Sequence, residues 1–187
     1  MHTQVSAFPA TYAGLSRELL VGVFRAAPGR LRRSISGLDA DDLGFRNRPG
    51  KWSIQEIVCH LADSELVGAV RLRQALADAP APRFPAYDQD RWALALGYGS
   101  RAPAEIGAAV GLFEMLRESA AALLDRVEPS GWERVGVHRE WGTLSVRQLL
   151  ELYADHGERH VGQILAIRVA LGKPAAMELL LPERLYP

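Results

Sequence analysis

Two histidines, His156 and His160, stand four residues apart in an apolar stretch that has the periodicity of an α-helix. Side chains four residues apart lie on the same face of an α-helix, one turn above the other. Two imidazoles presented in this way are a common pair of ligands for a divalent metal ion. Two partly buried histidines that bond to a carboxylate such as Asp155, or to water, would produce the same pattern. The spacing alone therefore leaves both interpretations open.

The zincin type of metalloprotease site is a separate possibility, because it also contains two histidines four residues apart. That site needs a glutamate directly after the first histidine, and here the position is Gly157. Glu158 is two residues from each histidine, about 200° around an α-helix, so its carboxylate should point away from the histidine face. The sequence argues against a metalloprotease of this class.

Four segments with helical periodicity position these residues, and together they predict an all-α four-helix bundle. The second and fourth segments each open with a capping box, led by Ser53 and Ser145, which marks a helix start. In the first segment, a Pro-Gly pair at Pro28 predicts a kink or a break. The predicted helices lie near residues 12–36, 53–77, 103–127 and 145–171.

The connection between the second and third predicted helices, residues 78–102, is unusually long and rich in proline and glycine. Connections of this length often carry a crossover between helices or cover a site. We predict a short helix within it, at residues 88–96, and a short helical turn at residues 39–43. Residues 131–143 are rich in glycine and tryptophan, which favours a short hairpin or an irregular loop.

The length and composition fit one domain over residues 1–187, since 48% of the 187 residues are hydrophobic. Lysine plus arginine and aspartate plus glutamate balance at 22 each, which argues against binding to nucleic acid or an anionic membrane. The first residues lack the pattern of a signal peptide, and no run of about 18 apolar residues predicts a membrane span. A single cysteine, Cys59, suits a reducing compartment, so we expect a cytoplasmic protein.

Three stretches of the sequence resemble the DinB-like superfamily of metal-binding four-helix bundles, and within it most closely the YfiT-like thiol transferases. The superfamily includes bacillithiol-dependent transferases and mycothiol-dependent isomerases, and the resemblance covers roughly residues 10–171. One histidine on the second helix together with HxxxH on the fourth is far more specific than either part. The stretches are Pro49–Ile57 with His60–Ser64, Tyr87–Ala93 and His156–His160.

The resemblance implies a divalent metal ion, commonly nickel, zinc or iron, held by His60, His156 and His160 with water completing its coordination. For His60 to reach the other two histidines, the second and fourth helices have to be adjacent in the bundle. The resemblance also implies that the segment from Tyr87 to Trp92 lies across the mouth of the bundle.

Several residues near these histidines could have a supporting role. Glu56, one turn before His60, and Asp63, one turn after it, could each orient its imidazole without binding the metal. Equally, Glu56 could serve only the capping box, and Asp63 could be solvated. We expect Cys59 to be a small buried hydrophobic residue rather than a nucleophile. We expect His138 to be exposed or near the mouth of the bundle and not to bind the metal.

Large aromatic and basic side chains give weaker indications. Trp52 and Trp141 precede capped helices, and we expect them to pack there rather than stack on a ligand. Arg71 and Arg73 could face the carboxylates of a thiol cofactor, although such arginines more often cover apolar neighbours at the surface. No catalytic residue can be assigned beyond the metal centre itself.

Three classes of function fit these residues. Three histidines contribute no negative charge, so a divalent ion among them would favour an anionic group at its open positions. We expect a metal-dependent enzyme with a small-molecule substrate, and the preferred reaction is S-transfer with a low-molecular-weight thiol as co-substrate. The alternatives are a metal-dependent hydrolase and a non-catalytic metal-binding protein of a stress response. The family resemblance and apolar residues left over on the first and third helices favour a homodimer.

Overall fold

The structure is a computed structural model that describes residues 12–78 and 80–178. It confirms the all-α four-helix bundle, in which short helices and one hairpin lie in the connections. None of the helices in the described part of the chain combines the length and apolar character that a membrane span requires. In chain order, the elements are α1 (Arg17–Ile35), α2 (Ala40–Gly44), α3 (Ile54–Ala77), α4 (Gln89–Ala95), α5 (Pro103–Leu124), β1 (Val135–His138), β2 (Gly142–Ser145) and α6 (Val146–Ala170).

Capping residues set the starts of the long helices. The Ser53 side chain accepts a hydrogen bond from Glu56 N, and the Glu56 carboxylate accepts one from Ser53 N at 2.7 Å. Ser145 and Gln148 form the same reciprocal pair at the start of α6. Both starts agree with the prediction from the sequence. The first helix begins later than predicted, because Ser16 is its N-cap residue.

The four long helices pack in an order that differs from their order in the chain. α1 packs against α5 and α6, and α3 packs against the same two helices. The first and second long helices, α1 and α3, therefore lie diagonally across the bundle. The third and fourth long helices, α5 and α6, lie on the other diagonal. The long connection at residues 78–102 joins α3 to α5, which are in contact. The predicted adjacency of the second and fourth long helices, α3 and α6, is confirmed.

The middle of α1 contains Pro28, yet the helix runs without a break from Arg17 to Ile35. Proline has no backbone N–H, so the carbonyl oxygen four residues earlier, that of Phe24, loses its usual helical donor. Arg117 supplies a replacement, because its Nη1 donates a hydrogen bond to Phe24 O at 3.1 Å. The predicted break is therefore wrong, since a side chain from α5 satisfies the carbonyl that the proline leaves open.

Arg117 is fully buried at the centre of the bundle and contacts each of the other three long helices. Its Nε lies 2.7 Å from Glu65 Oε2 on α3, and its Nη2 donates to Tyr153 O on α6 at 2.6 Å. Its guanidinium also lies over the ring of Phe24 on α1, 4.0 Å from the centroid. A buried charge is costly unless it is paired and hydrogen-bonded, and this arginine has both kinds of partner.

β1 and β2 form an antiparallel hairpin in which Val137 pairs with Thr143, in agreement with the hairpin predicted for this region. The connection between α3 and α5 pairs with the β1 strand of this hairpin. Phe84 N donates to Val137 O at 3.0 Å, and Val137 N donates to Pro82 O at 2.8 Å. Phe84 also lies directly on Gly136, where a Cβ atom would be 2.1 Å from the ring. The connection is thus tied to the hairpin just before it reaches the histidines.

Candidate metal centre

Three histidines meet between α3 and α6. His60 comes from α3, and His156 and His160 come from successive turns of α6. The Nε2 atom of His156 is 2.9 Å from that of His60 and 3.1 Å from that of His160. His60 and His160 are buried, and His156 is half-buried. The structure brings together the three residues to which the family resemblance pointed.

The three imidazoles form a donor set that fits one divalent ion. An imidazole nitrogen binds zinc at about 2.0–2.1 Å, so two neighbouring ligand nitrogens of a tetrahedral site lie roughly 3.3–3.4 Å apart. The separations of 2.9 and 3.1 Å are a few tenths of an ångström shorter than this, and all three ligand nitrogens lie within 4.8 Å of one another. Burial lowers the pKa of His60 to about 2 and that of His160 to about 4, and it holds the pKa of His156 well below its ordinary value. Each ring is therefore neutral near pH 7 and keeps a nitrogen lone pair for a cation.

The outer nitrogens of two of these rings have partners that orient them. His60 Nδ1 is 3.0 Å from Tyr87 Oη, and His160 Nδ1 is 2.8 Å from Gln163 Oε1. An amide oxygen only accepts, so His160 donates from Nδ1 and its Nε2 carries the lone pair. Such partners fix the tautomer and the orientation of a metal-binding histidine. The only sequence signal for the Gln163 contact is its position three residues after His160, on the same helix face.

From His60, hydrogen bonds continue through two tyrosines to a carboxylate. Tyr87 and Tyr98 are hydrogen-bonded through their side chains, and Tyr98 Oη donates to Asp63 Oδ2. Each group in this series can donate to the next when His60 carries its proton on Nδ1. That direction leaves the His60 Nε2 lone pair facing the other two histidines. Burial raises the pKa of both tyrosines above its ordinary value, so both hydroxyls keep their protons at neutral pH.

The two carboxylates considered as partners of His60 have different roles. Glu56 serves the capping box, and its second oxygen accepts from Arg46 at 2.6 Å, so it belongs to the helix start. Asp63 is half-buried rather than simply solvated, and it connects to His60 through the two tyrosines. The direct partner of His60 is Tyr87, which the long connection brings to the site.

Aromatic rings surround the histidines. The Trp52 ring centroid lies 4.7 Å from that of His60 and 6.4 Å from that of His160. Tyr87 stacks on His60 with centroids 5.9 Å apart, and Trp92 meets Tyr87 edge to face at 4.9 Å. The segment from Tyr87 to Trp92 therefore lies against the site, in line with the resemblance. Trp52 packs at the entry to α3 as expected, but it also forms a wall of the site.

Three residues singled out in the sequence lie outside the cluster. Cys59 is 7% exposed and burial raises its pKa to about 11, which agrees with a packed, unreactive thiol. Glu158 points away from the site and pairs with Arg30 on α1. His138 is buried rather than exposed, because alternate residues of β1 face the interior, and its ring lies beside Trp141.

The two arginines considered for thiol recognition have structural partners instead. Arg71 is buried and donates to Tyr153 Oη at 3.0 Å and to Pro85 O at 2.8 Å, which holds the connection just before Tyr87. Arg73 is exposed and donates to Ser119 Oγ at 2.9 Å. These contacts give both arginines a role within the fold, and neither lines the cavity beside the histidines.

A cavity of about 310 Å³ opens beside the histidines, which is enough space for a small-molecule substrate. The loop before α3, the start of α4 and one face of α6 form its walls. Trp52 and His160 belong both to this cavity and to the histidine site. The residues that line it are Asn47, Arg48, Gly50, Lys51, Trp52, Ile57, Gln89, Asp90, His160, Gln163, Ala166 and Ile167.

Most of the chain, residues 24–164, matches the sequence model of the DinB superfamily. Two proteins of Oceanobacillus iheyensis, both provisionally named metal-dependent hydrolases, are similar to it. One is 30% identical over 140 residues, which cover 75% of this chain and 78% of the relative. The other is 31% identical over 135 residues, which cover 72% of this chain and 75% of the relative.

Two solved structures share the fold. YfiT from Bacillus subtilis, described as a probable metal-dependent hydrolase with an unusual four-helix bundle topology, has a TM-score of 0.78 at 21% identity, over 85% of this chain and 91% of YfiT. A mycothiol-dependent maleylpyruvate isomerase has a TM-score of 0.64 at 16% identity, over 81% of this chain and 61% of the isomerase. At these identities the likeness concerns the fold alone.

Proposed function

Because the chain belongs to the DinB superfamily, we propose that it is a metal-dependent enzyme in which His60, His156 and His160 bind one divalent ion. The observation that carries this proposal is the convergence of three imidazole Nε2 atoms, separated by 2.9 and 3.1 Å, in a site where burial keeps the rings neutral. The names of the two relatives support a metal-dependent activity. Nickel, zinc and iron all accept imidazole ligands. We further propose a cytoplasmic location and a small-molecule substrate.

The residues of the site have separable tasks. When bound, the ion would supply Lewis acidity, which favours the deprotonated form of a thiol or of water. Tyr87 and Gln163 hold two of the imidazoles so that their lone pairs face inward. The Trp52 ring packs against His60 and His160 and forms a wall of the cavity beside them. The neutral ligand set adds no negative charge, so an anionic reactant is not repelled.

We propose thiol transfer as the reaction. The sulfur of a low-molecular-weight thiol forms a bond to an electrophilic carbon, the bond from that carbon to its leaving group breaks, and the thiol proton passes to solvent. A thiol has a pKa near ~8.5, whereas that of bulk water is near ~15.7, so a thiol needs less help from a base. The carboxylates close to the histidines in sequence already have partners, since Glu56 is bonded to Arg46 and Asp63 to Tyr98.

Hydrolysis is the second candidate, and one observation favours it. Asp90 lines the cavity and could accept a proton from an attacking water molecule. The names of the relatives point in the same direction. Asp90 therefore separates the two reactions, because thiol transfer does not require it.

Metal content tests the proposed ligands. Protein purified without an affinity tag, and the variants His60→Ala, His156→Ala and His160→Ala, are dialysed against zinc, nickel or iron(II) and analysed for bound metal. The wild type should bind about one ion per chain, and each variant should bind at least ten-fold more weakly, because two imidazoles do not enclose an ion. His138→Ala removes a buried histidine elsewhere and serves as the control. Equal metal content in all five proteins would refute the site.

A second experiment separates the two reactions. The metal-loaded protein is supplied with bacillithiol, mycothiol, glutathione or dithiothreitol and a chromogenic electrophile, with and without chelator, and in parallel with a chromogenic ester. Thiol transfer predicts metal-dependent conjugation with at least one thiol, at the same rate in Asp90→Asn. Metal-dependent ester hydrolysis that is lost in Asp90→Asn, without any thiol conjugation, would replace transfer by hydrolysis.

A further inference from the structure

The loop that leads into α3 supplies two positive charges to the cavity beside the histidines. Arg48 and Lys51 both line the cavity, and the turn between them is closed by a hydrogen bond from Lys51 N to Arg48 O at 3.3 Å. Gly50 has a φ of +73°, in the region that favours glycine, which suits a tight turn. Arg46 braces the loop, since its Nη1 donates to Lys51 O at 2.6 Å. The two cations therefore belong to one braced turn at the rim of the cavity.

These two cations differ from the arginines that stabilise the bundle. Arg30, Arg46 and Arg117 each pair with a carboxylate. Within residues 12–78 and 80–178, the side chains of Arg48 and Lys51 have no ion pair or hydrogen bond. The cavity wall carries one negative charge in the same described part of the chain, that of Asp90. The cavity thus has a net positive charge, and among the described residues its two cations form no ion pair that stabilises the fold.

The rest of the wall combines apolar side chains with neutral polar ones. Trp52, Ile57 and Ile167 supply its hydrophobic surface, and His160 connects it to the proposed ion. The cavity volume of about 310 Å³ lies within the range of small-molecule binding sites. Pockets with an apolar wall and a few charged groups bind small organic molecules and use the charges to orient them.

We propose that this cavity binds a small organic acid, whose carboxylate pairs with Arg48 and Lys51 while its carbon chain lies against Trp52. An arginine guanidinium matches both oxygens of a carboxylate, and a lysine adds a second positive charge. The far end of the acid then reaches His160, where the chemistry is expected. The assignment rests on the proposed function, because it makes the acid the molecule on which the metal centre acts.

The test compares two probes that have almost the same shape and differ in charge, 4-phenylbutyrate and 4-phenylbutan-1-ol. Their affinities for the zinc-loaded protein are measured by calorimetry, and the NMR signal of the Trp52 indole, assigned with Trp52→Phe, reports where they bind. We expect the acid to bind at least ten-fold more tightly than the alcohol and to shift the Trp52 signal. In Arg48→Gln/Lys51→Gln the acid should bind only as tightly as the alcohol, whose own affinity stays unchanged.

Two controls separate this proposal from the proposed metal site. Arg126→Gln/Arg139→Gln removes the same charge from exposed positions outside the cavity and should keep the preference for the acid. The preference should also persist after the metal is removed with a chelator, because it resides in Arg48 and Lys51. Equal affinity for the two probes would overturn the proposal. A preference that survives in the Arg48 and Lys51 variant but vanishes with the metal would overturn it too, since the ion would then be the group that recognises the acid.

Discussion

The hydroxyl of Tyr87 lies 3.0 Å from Nδ1 of His60, the ring nitrogen that does not face the other two histidines. Tyr87→Phe removes this hydroxyl and keeps a ring that can stack on the imidazole. Loss of a partner that orients a metal-binding histidine typically lowers metal affinity by about 10- to 100-fold. We expect a decrease of that size, measured by competition with a chromophoric chelator, with helical content unchanged. Tyr12→Phe, outside the site, is the control, and equal affinities in both variants would show that the hydroxyl does not orient His60.

His138 makes part of the stability depend on pH, separately from the metal centre. Burial, with a smaller contribution from the charge of Arg71, lowers its pKa to about 4. Histidine in an unfolded chain has a pKa near ~6.5. Below that pH the unfolded state therefore binds more protons than the folded state, and stability is lost as the pH falls from about 6.5 towards 4.

Replacing His138 by glutamine should remove this contribution. In metal-free protein, His138→Gln should reduce the loss of stability between pH 7 and pH 5 by about 1–2 kcal/mol. Urea unfolding at the two pH values measures the effect, and both proteins keep the same three histidines at the candidate metal centre. An identical pH dependence in the two proteins would mean that His138 is protonated in the folded state at pH 5.

At the scale of helices, Arg117 connects α5 to the other three long helices, and its partner Glu65 is almost fully buried. Arg117→Met leaves the Glu65 carboxylate buried without its counter-ion, which typically costs about 3–5 kcal/mol. Glu65→Gln in the same chain removes that unpaired charge. We expect the double variant to be more stable than Arg117→Met alone in urea unfolding. Strictly additive losses would show that the two side chains are not coupled.

The parts of this fold that the sequence predicts are local ones. The capping residues Ser53 and Ser145 act within their own helical turn, so the starts of α3 and α6 follow from the sequence. His156 and His160 share a face because of helical spacing alone. The sequence assigns His60 to the same site only through the family resemblance, because local sequence patterns do not show which helices are neighbours in the bundle.

The parts that could not be predicted depend on contacts between distant segments. Pro28 favours a break by its own chemistry, and only Arg117 from another helix explains why α1 continues. Tyr87 and Tyr98 reach His60 and Asp63 through the folding of the long connection. No periodicity in the sequence encodes those contacts.

At the scale of the whole molecule, the homodimer stays a prediction, and the exposed apolar side chains that favour it lie mainly on the second and third long helices rather than on the first and third. Leu66 and Val70 on α3 and Leu112 and Met115 on α5 are all more than 40% exposed, and these helices pack against each other. Burial of such a surface would favour association. We expect wild-type protein to sediment as a dimer and Met115→Glu to shift it towards monomer. Val169→Glu, on α6, is the control, and a wild-type species of 20.5 kDa at micromolar concentration would contradict the dimer.

The anchoring of the long connection has a consequence for the order of kinetic events. Phe84 is bonded to the hairpin, Pro85 O to Arg71 and Tyr87 to His60, so one side of the histidines is covered by a segment held at three points. The cavity opens next to this segment, at His160, and Gln89 and Asp90 of the same connection line it. Two reactants that both reach the histidines through this cavity share its opening, so the one that lies deeper has to arrive first. A two-substrate reaction here should therefore show compulsory-order kinetics, in which the product that leaves last competes with the substrate that binds first.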